Sequence, residues 1–403
     1  VGCLELCELF RLGSSPKRVL SSGRLVLSMP REVVVVAYDD LVAGVDLGSQ
    51  LLEAWGPGSL GVVAVRGVPR WEELYMSVLK QAHKLAHLSP ESLRAIEDEA
   101  SMYNAGWSHG KEKLGDKPDL AKGSFYFNPL ADAPGTEEDR AKFPWALPKN
   151  LWPKEIPELE MHCKALGRVM QEVIGQLGKQ VDRVMASKVQ SYTANLGKTL
   201  SETEKCKGRL LYYFPPKETG AAQGSAVPED GWIGWHNDSG FMTGLTPDIF
   251  VDDKDGEMIP NPDPEGAGLW VVDRDGSAIR VRIPRDCMAI QVGECTQVVT
   301  AGEFVATPHC VRGCRPEYAN GRKVARISCP CFVDTHPSFE LRIPEGVSRE
   351  EVLARGLSSK VPPLGERWEP GQNFGDFLGS TFRRYYDWAL KKSEPPEKRA
   401  KTS

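Results

Sequence analysis

From Gly208 onward the chain reads as a succession of short β-type runs broken by turns, and this texture limits the fold more than any other feature. The runs cover residues 209–214, 232–236, 268–272, 279–283, 288–292, 303–306 and 324–332. Turn pairs such as Asp275-Gly276 and Asn320-Gly321 separate some of them, as in a series of hairpins. Seven such runs in about 125 residues predict a sandwich or barrel.

The first half has a different texture. A β-branched run, 33–37, is followed by Asp39 and Asp40, and a second apolar strand, 60–65, ends at Gly67 and Pro69. Trp71, Leu74, Tyr75, Val78, Ala82, Leu85 and Ala86 then recur at three- and four-residue steps, the mark of an amphipathic helix. Pro90 stops it, and Ser89-Pro90-Glu91 suits the start of another. Residues 104–156 are rich in Gly, Pro and aromatics without a sustained period, which predicts an irregular connection. Next, Leu159, Cys163, Leu166, Met170, Val173, Leu177, Val181 and Val184 line one face of a long helix. Gly167, Gly175 and Gly178 interrupt it, allowing close packing or a bend. After Pro337 helix-like sequence returns, and no internal repeat is visible. The expected organisation is an unplaced leader (1–28), a helical N-terminal region (29–204), a β core (205–340), a helical extension (341–390) and a disordered tail (391–403).

Composition narrows the function. With 41% hydrophobic and 26% charged residues, the 403-residue chain is expected to be soluble and globular. A net charge of -5 without a basic stripe argues against a dedicated nucleic-acid binder. No apolar run approaches the ~18 to 20 residues that span a bilayer, so no membrane partner is expected. Ten Cys without a paired C-x-x-C framework read as free thiols in a reducing compartment, so a cytoplasmic location is expected. Two features point elsewhere. Residues 1–28 carry Arg11, Lys17, Arg18 and Arg24, loosely like a transit peptide, although Glu5 and Glu8 oppose that and Met29 is a candidate start. The tail between Lys391 and Lys401 resembles a split nuclear-localisation signal, but charged ends of this kind are more often simply disordered.

Only seven His are present, so their placement is informative. His236 and Asp238 sit two apart in Trp-His-Asn-Asp. On a strand, residues two apart share a face, so imidazole and carboxylate converge while Asn237 turns away. A lone His-x-Asp on a strand is usually structural. His309, 73 positions later at the end of a β-type run, is the best third ligand. Two His and one carboxylate fill one face of iron(II) and leave the opposite face open. Arg326 follows 17 positions after His309, with Ser328 two beyond. A guanidinium fork beside a hydroxyl on one strand face is a natural clamp for a carboxylate.

These residues carry a resemblance. The chain resembles the iron(II)/2-oxoglutarate-dependent oxygenase superfamily, in particular its isopenicillin N synthase-like branch. Residues 33–90 are similar to that branch's N-terminal region, and 208–215, 231–238, 268–272 and 292–332 to its jelly-roll core. The pattern LLYYFP … GWHND … GE … ATPHCVR is similar to that of plant and algal members. The resemblance implies a mainly β fold, with a double-stranded β-helix (jelly-roll) core and flanking helices. It implies iron ligands at His236, Asp238 and His309, and a 2-oxoglutarate clamp at Arg326 and Ser328. The implied activity consumes O2 and 2-oxoglutarate, releases succinate and CO2, and by default hydroxylates a small molecule. One departure stands out. The branch often has Asn-x-Tyr-Pro where this chain has Tyr212-Tyr213-Phe214-Pro215, so Phe214 replaces a cosubstrate-binding Tyr, and Tyr212, on the same strand face, is expected to substitute.

Two other readings stay open: a 2-oxoglutarate-independent iron oxidase like isopenicillin N synthase itself, and a non-catalytic jelly-roll binding protein. The Arg326/Ser328 pair disfavours the first, and the complete ligand set the second. His83 and His87 have zinc-binding spacing, but Lys84 stands where H-E-x-x-H needs Glu, so ordinary helix residues are expected. Cys310, Cys314, Cys329 and Cys331 are read as barrel packing rather than a second metal site or redox switch. The acidic stretch 246–266 lacks EF-hand spacing and is expected to be a solvated insertion. Trp232, Trp235, Trp270 and Phe214 are candidate pocket walls.

Overall fold

The computed structural model describes residues 32–384, apart from 112, 115–116, 216–231, 273–275, 357 and 382–383. The leader 1–28 and the tail 391–403 lie outside the described residues.

Strand β1 (Val34–Ala37) pairs in parallel with β2 (Val62–Arg66). The amphipathic stretch forms α1 (Trp71–Leu79) and, after a break at Lys80 and Gln81, the short helix Ala82–Ala86. Ser89 caps the next helix, its Oγ accepting from the Ser92 N–H, with Pro90 in the first turn where a missing N–H costs nothing. The expected irregular connection instead contains a hairpin, β3 (Gly106–His109) and β4 (Lys122–Phe127). β4 is buried at every position, so both faces are covered and no polar alternation betrays it.

The long helix, α2 (Glu158–Lys188), buries the predicted apolar stripe. Its glycines mark close approaches: Gly167 meets Pro129, Gly175 meets Ser201, and Gly178 meets Gly197 of α3 (Leu196–Glu202). A Cβ on Gly178 would lie 2.9 Å from the Gly197 nitrogen, so the two helices touch backbone to backbone. Gly178→Val should therefore destabilise the protein by about 1–3 kcal/mol through overpacking. Chemical denaturation measures this, and an unshifted midpoint would mean that α2 and α3 have room to part.

The β region comprises β5 (Cys206–Tyr213), β6 (Ile233–His236), β7 (Met242–Leu245), β8 (Ile249–Asp252), β9 (Met258–Ile259), β10 (Gly268–Val272), β11 (Ala278–Arg280), β12 (Cys287–Val292), the helix α4 (Glu294–Val299), β13 (His309–Arg312), β14 (Val324–Ser328) and β15 (Cys331–Val333). Among the described residues the main sheet has 11 strands, in the order β1-β2-β12-β7-β15-β5-β14-β8-β9, with β4 also on β5 and β3 on β4. The facing sheet runs β11-β10-β13-β6. The chain passes repeatedly from one sheet to the other, giving a mainly β jelly-roll core with flanking helices. Strands from both sides of residue 204 share the main sheet, since β2 pairs with β12 and β4 with β5.

Three local expectations change. Residues 303–306 form no strand; they are apolar because Phe304 packs edge-on against Trp55 and the Val305 N–H donates to the Trp55 carbonyl. The run 324–332 splits into β14 and β15 around Pro330, which has no N–H for a ladder. The acidic stretch is an ordered part of the fold rather than a solvated insertion. It forms β8 and β9, which extend the main sheet, and its Asp263 is buried against Arg315.

Candidate metal centre and cavity

The register of the smaller sheet brings the two imidazoles together. His236 ends β6, His309 begins β13, the two are paired, and their ring centroids lie 4.2 Å apart. Asp238 follows β6 by two residues and reaches the same place, with its Oδ1 3.7 Å from His309 Nε2. Asn237 turns the other way and donates through Nδ2 to Glu294 Oε1 at 3.0 Å. The ligating atoms of His236, Asp238 and His309 lie within 4.8 Å of one another, and no other such group of three occurs among the described residues.

Hydrogen bonding sets the imidazoles up as ligands. His236 Nδ1 donates to the Gly234 carbonyl at 2.8 Å, and His309 Nδ1 donates to the Thr307 carbonyl at 3.1 Å. A carbonyl only accepts, so Nδ1 carries hydrogen in each ring and Nε2 is left as the atom that can ligate. Burial, and then the neighbouring His309, push His236 down to about 4, so it is neutral near pH 7. Asp238 Oδ2 is buried without a hydrogen-bond partner among the described residues. A buried carboxylate oxygen with no donor is costly unless a cation sits beside it. Two imidazoles and one carboxyl group, one of whose oxygens is orphaned, fit iron(II).

The three side chains open into a cavity of about 470 Å³ between the sheets. Arg326 and Ser328 line the same cavity, and β14 presents both on one face, as their spacing predicts. Arg326 is only 6% exposed. Its Nε donates to Asp248 Oδ2 at 2.9 Å, its Nη1 lies 3.4 Å from Ser328 Oγ, and its guanidinium covers the Tyr213 ring at 5.0 Å. Arg209, Arg280, Arg282 and Arg285 also line the cavity, against the carboxylates of Asp238, Asp248 and Glu265. This excess of cations suits an anionic ligand.

Tyr212 is not brought to the site. Its hydroxyl donates to Asp253 Oδ1 at 2.7 Å, and its ring packs against His87 and Phe214 on the opposite face of β5. The cavity face of β5 is Arg209, Leu211 and Tyr213, so the tyrosine beside the clamp is Tyr213. Trp232, Trp235, Trp270 and Phe214 are likewise absent from the cavity wall. Trp232 stacks on Tyr213 at 5.3 Å, and Trp270 lies under Arg312 at 3.8 Å. Leu211, Ile233, Leu269, Val311 and Phe332 form the apolar wall instead.

His83 and His87 stack at 4.3 Å, and His83 Nε2 contacts the Asp253 carbonyl. They anchor the turn after β8 to the helical layer. Cys163, Cys206, Cys287, Cys295, Cys310, Cys314, Cys329 and Cys331 are all buried, and none of them is in a disulfide. Burial pushes the Cys163, Cys206 and Cys295 thiols well up, which keeps them protonated and unreactive.

No family model matches the sequence, and no curated protein matches it. Solved structures do. A Caulobacter crescentus protein described as a 2OG-Fe(II) oxygenase family member is 18% identical, with a TM-score of 0.58 over 87% of this chain and 99% of that one. The rice dioxygenase for auxin oxidation is 16% identical, with a TM-score of 0.56 over 89% of this chain and 99% of its own. A full-length Neurospora crassa protein, in complex with alpha-KG and thymine, is 15% identical, with a TM-score of 0.55 over 90% of this chain and 97% of its own. The fold is that of the 2OG-Fe(II) oxygenases.

Proposed function

We propose that this chain is a non-haem iron(II)- and 2-oxoglutarate-dependent oxygenase acting on a small molecule. The observation that carries the reading is one cavity holding both a His-Asp-His ligand set, with a buried orphan carboxylate oxygen, and a locked Arg326/Ser328 pair. His236, Asp238 and His309 would hold the iron. With 2-oxoglutarate and O2, iron(II) supplies oxidative decarboxylation to succinate and CO2, coupled to oxidation of a substrate C–H bond.

The chain's own residues contribute position and dryness. Arg326 and Ser328 bind the far carboxylate of 2-oxoglutarate, and Asp248 keeps the guanidinium from swinging. Tyr213 backs that guanidinium with its ring face. The apolar wall excludes water from the reacting end, and the cavity shapes the substrate's approach. Cavity size and the thymine held by the Neurospora protein support a small-molecule substrate. On this reading the catalytic core is residues 205–340, supported by 29–204 and 341–390. Among the described residues no helix is long and apolar enough to cross a membrane.

Arg326→Ala removes charge-assisted hydrogen bonds worth about 1.5–3 kcal/mol, so the KM for 2-oxoglutarate should rise roughly 10- to 100-fold. Steady-state succinate release measures it, and an unchanged KM would reassign the clamp. Succinate release with and without 2-oxoglutarate tests the cosubstrate. Failure to take up iron under anaerobic reconstitution would leave only a non-catalytic jelly roll.

A further inference from the structure

Gln291 lies on β12, lines the cavity and is 2% exposed, yet among the described residues neither its Oε1 nor its Nε2 has a hydrogen-bond partner. A buried carboxamide left unpaired on both sides is costly, and Gln291 faces the cavity.

Register places it. Gln291 is opposite Thr243 on β7, Thr243 is opposite Phe332 on β15, and all three line the cavity. Phe332 in turn pairs with Lys207 on β5, whereas Arg326 pairs with Tyr213 on that same strand. Lys207 and Tyr213 are six residues apart, about 20 Å along a strand. A five-carbon diacid held at Arg326 does not reach Gln291. The Gln291 end is instead stitched to the Asp238 segment: the Gly293 N–H donates to the Phe241 carbonyl, and the Glu294 N–H to the Asp238 carbonyl, both at 2.8 Å. Gln291 therefore belongs to the Asp238 side of the cavity, away from the clamp.

We propose that Gln291, flanked by Thr243 and Phe332, determines specificity for the molecule that is oxidised, and that this substrate presents a neutral donor–acceptor edge: a carboxamide, lactam or imide. The inference rests on the oxygenase reading, which assigns the Arg326 end to the cosubstrate. A carboxylate would satisfy Nε2 but leave Oε1 buried against like charge. An ammonium would do the reverse. A cis amide pairs with both atoms at once, and the half-buried Phe332 ring offers a flat neighbour for a planar group. A site built to bond an N–H rejects the analogue that lacks it.

The test uses the intact protein, anaerobic and loaded with iron(II) and 2-oxoglutarate, with glutarimide and N-methylglutarimide as probes titrated calorimetrically. The parent should bind glutarimide at least about tenfold more tightly than its N-methyl analogue. Gln291→Leu should lose that preference, retain the visible absorption of the iron–2-oxoglutarate chelate, and unfold at an equal or higher temperature, because it removes an unpaired buried amide. If the parent forms no chelate absorption, the oxygenase reading fails and this inference with it. If the chelate forms but the parent does not prefer glutarimide, or Gln291→Leu keeps the preference, the Gln291 assignment alone is overturned. A lowered unfolding temperature in Gln291→Leu makes the carboxamide structural and overturns it equally.

Discussion

Alanine at His236 or Asp238 is expected to bring iron-dependent conversion of 2-oxoglutarate to succinate below about 1% of the parent rate, since even residues behind metal ligands are worth about 10- to 100-fold. Both positions are fixed by backbone rather than by loose side chains: His236 ends a strand paired with β13, and the Asp238 carbonyl accepts from the Glu294 N–H. No other described cluster of ligating groups stands ready to replace them. Stability separates a ligand from a structural residue. Asp238 Oδ2 is a buried carboxyl oxygen without a donor among the described residues, so metal-free Asp238→Ala should unfold at or above the parent's temperature. Iron should then raise the parent's midpoint and not the variant's, because a ligand at about 100 times its Kd stabilises by about 2.7 kcal/mol. Undiminished turnover in either variant would sink the metal assignment. A metal-free Asp238→Ala that melts early would recast the carboxylate as a structural group.

The His-x-Asp pair was legible because residues two apart on extended backbone share a side; β6 ends at His236, yet Asp238 just beyond it reaches the same place and Asn237 turns away. The same logic recovered Arg326 and Ser328. It fails one level up, because alternation defines two faces without saying which one is inside. Tyr212 and Tyr213 are adjacent, and the sequence offers no ground for preferring the second. The decision is made by β14, whose Arg326 lies opposite Tyr213 and not Tyr212. Elements covered on both faces are hidden for a related reason. β4 is buried throughout and shows no alternation at all; β12 is buried throughout as well, but its apolar run still marks it as β-type. Gln291 had a signal of its own, a single carboxamide in the apolar run Met288-Ala-Ile-Gln-Val292. A polar side chain in a strand with no wet face must find a partner somewhere, and that partner need not be protein.

Removing Arg367 should produce the largest loss of stability, and its consequences should reach the metal. Its guanidinium and the Glu294 carboxylate are 0% and 1% exposed and form a two-pronged pair, with Nη1 donating to Oε2 at 2.6 Å and Nη2 to Oε1. Nη1 also lies 3.2 Å from Thr381 Oγ1, on the helical stretch 374–381. Glu294 opens α4, accepts from Asn237 Nδ2 and gives its own N–H to the Asp238 carbonyl. The C-terminal extension thus holds the ligand segment through one buried carboxylate. Breaking such a pair from one side leaves an uncompensated charge and costs about 3–5 kcal/mol, so Arg367→Met should fall by that amount in chemical denaturation. Iron affinity should drop about 10- to 100-fold, as for other groups that orient ligands. The double variant Glu294→Leu/Arg367→Met separates the two effects. It buries no lone charge and should regain most of the stability. It cannot restore the acceptor for Asn237, so its iron affinity should stay low. Recovery of stability and affinity together would mean that the pair holds the fold alone, and that Asp238 is oriented by its own backbone.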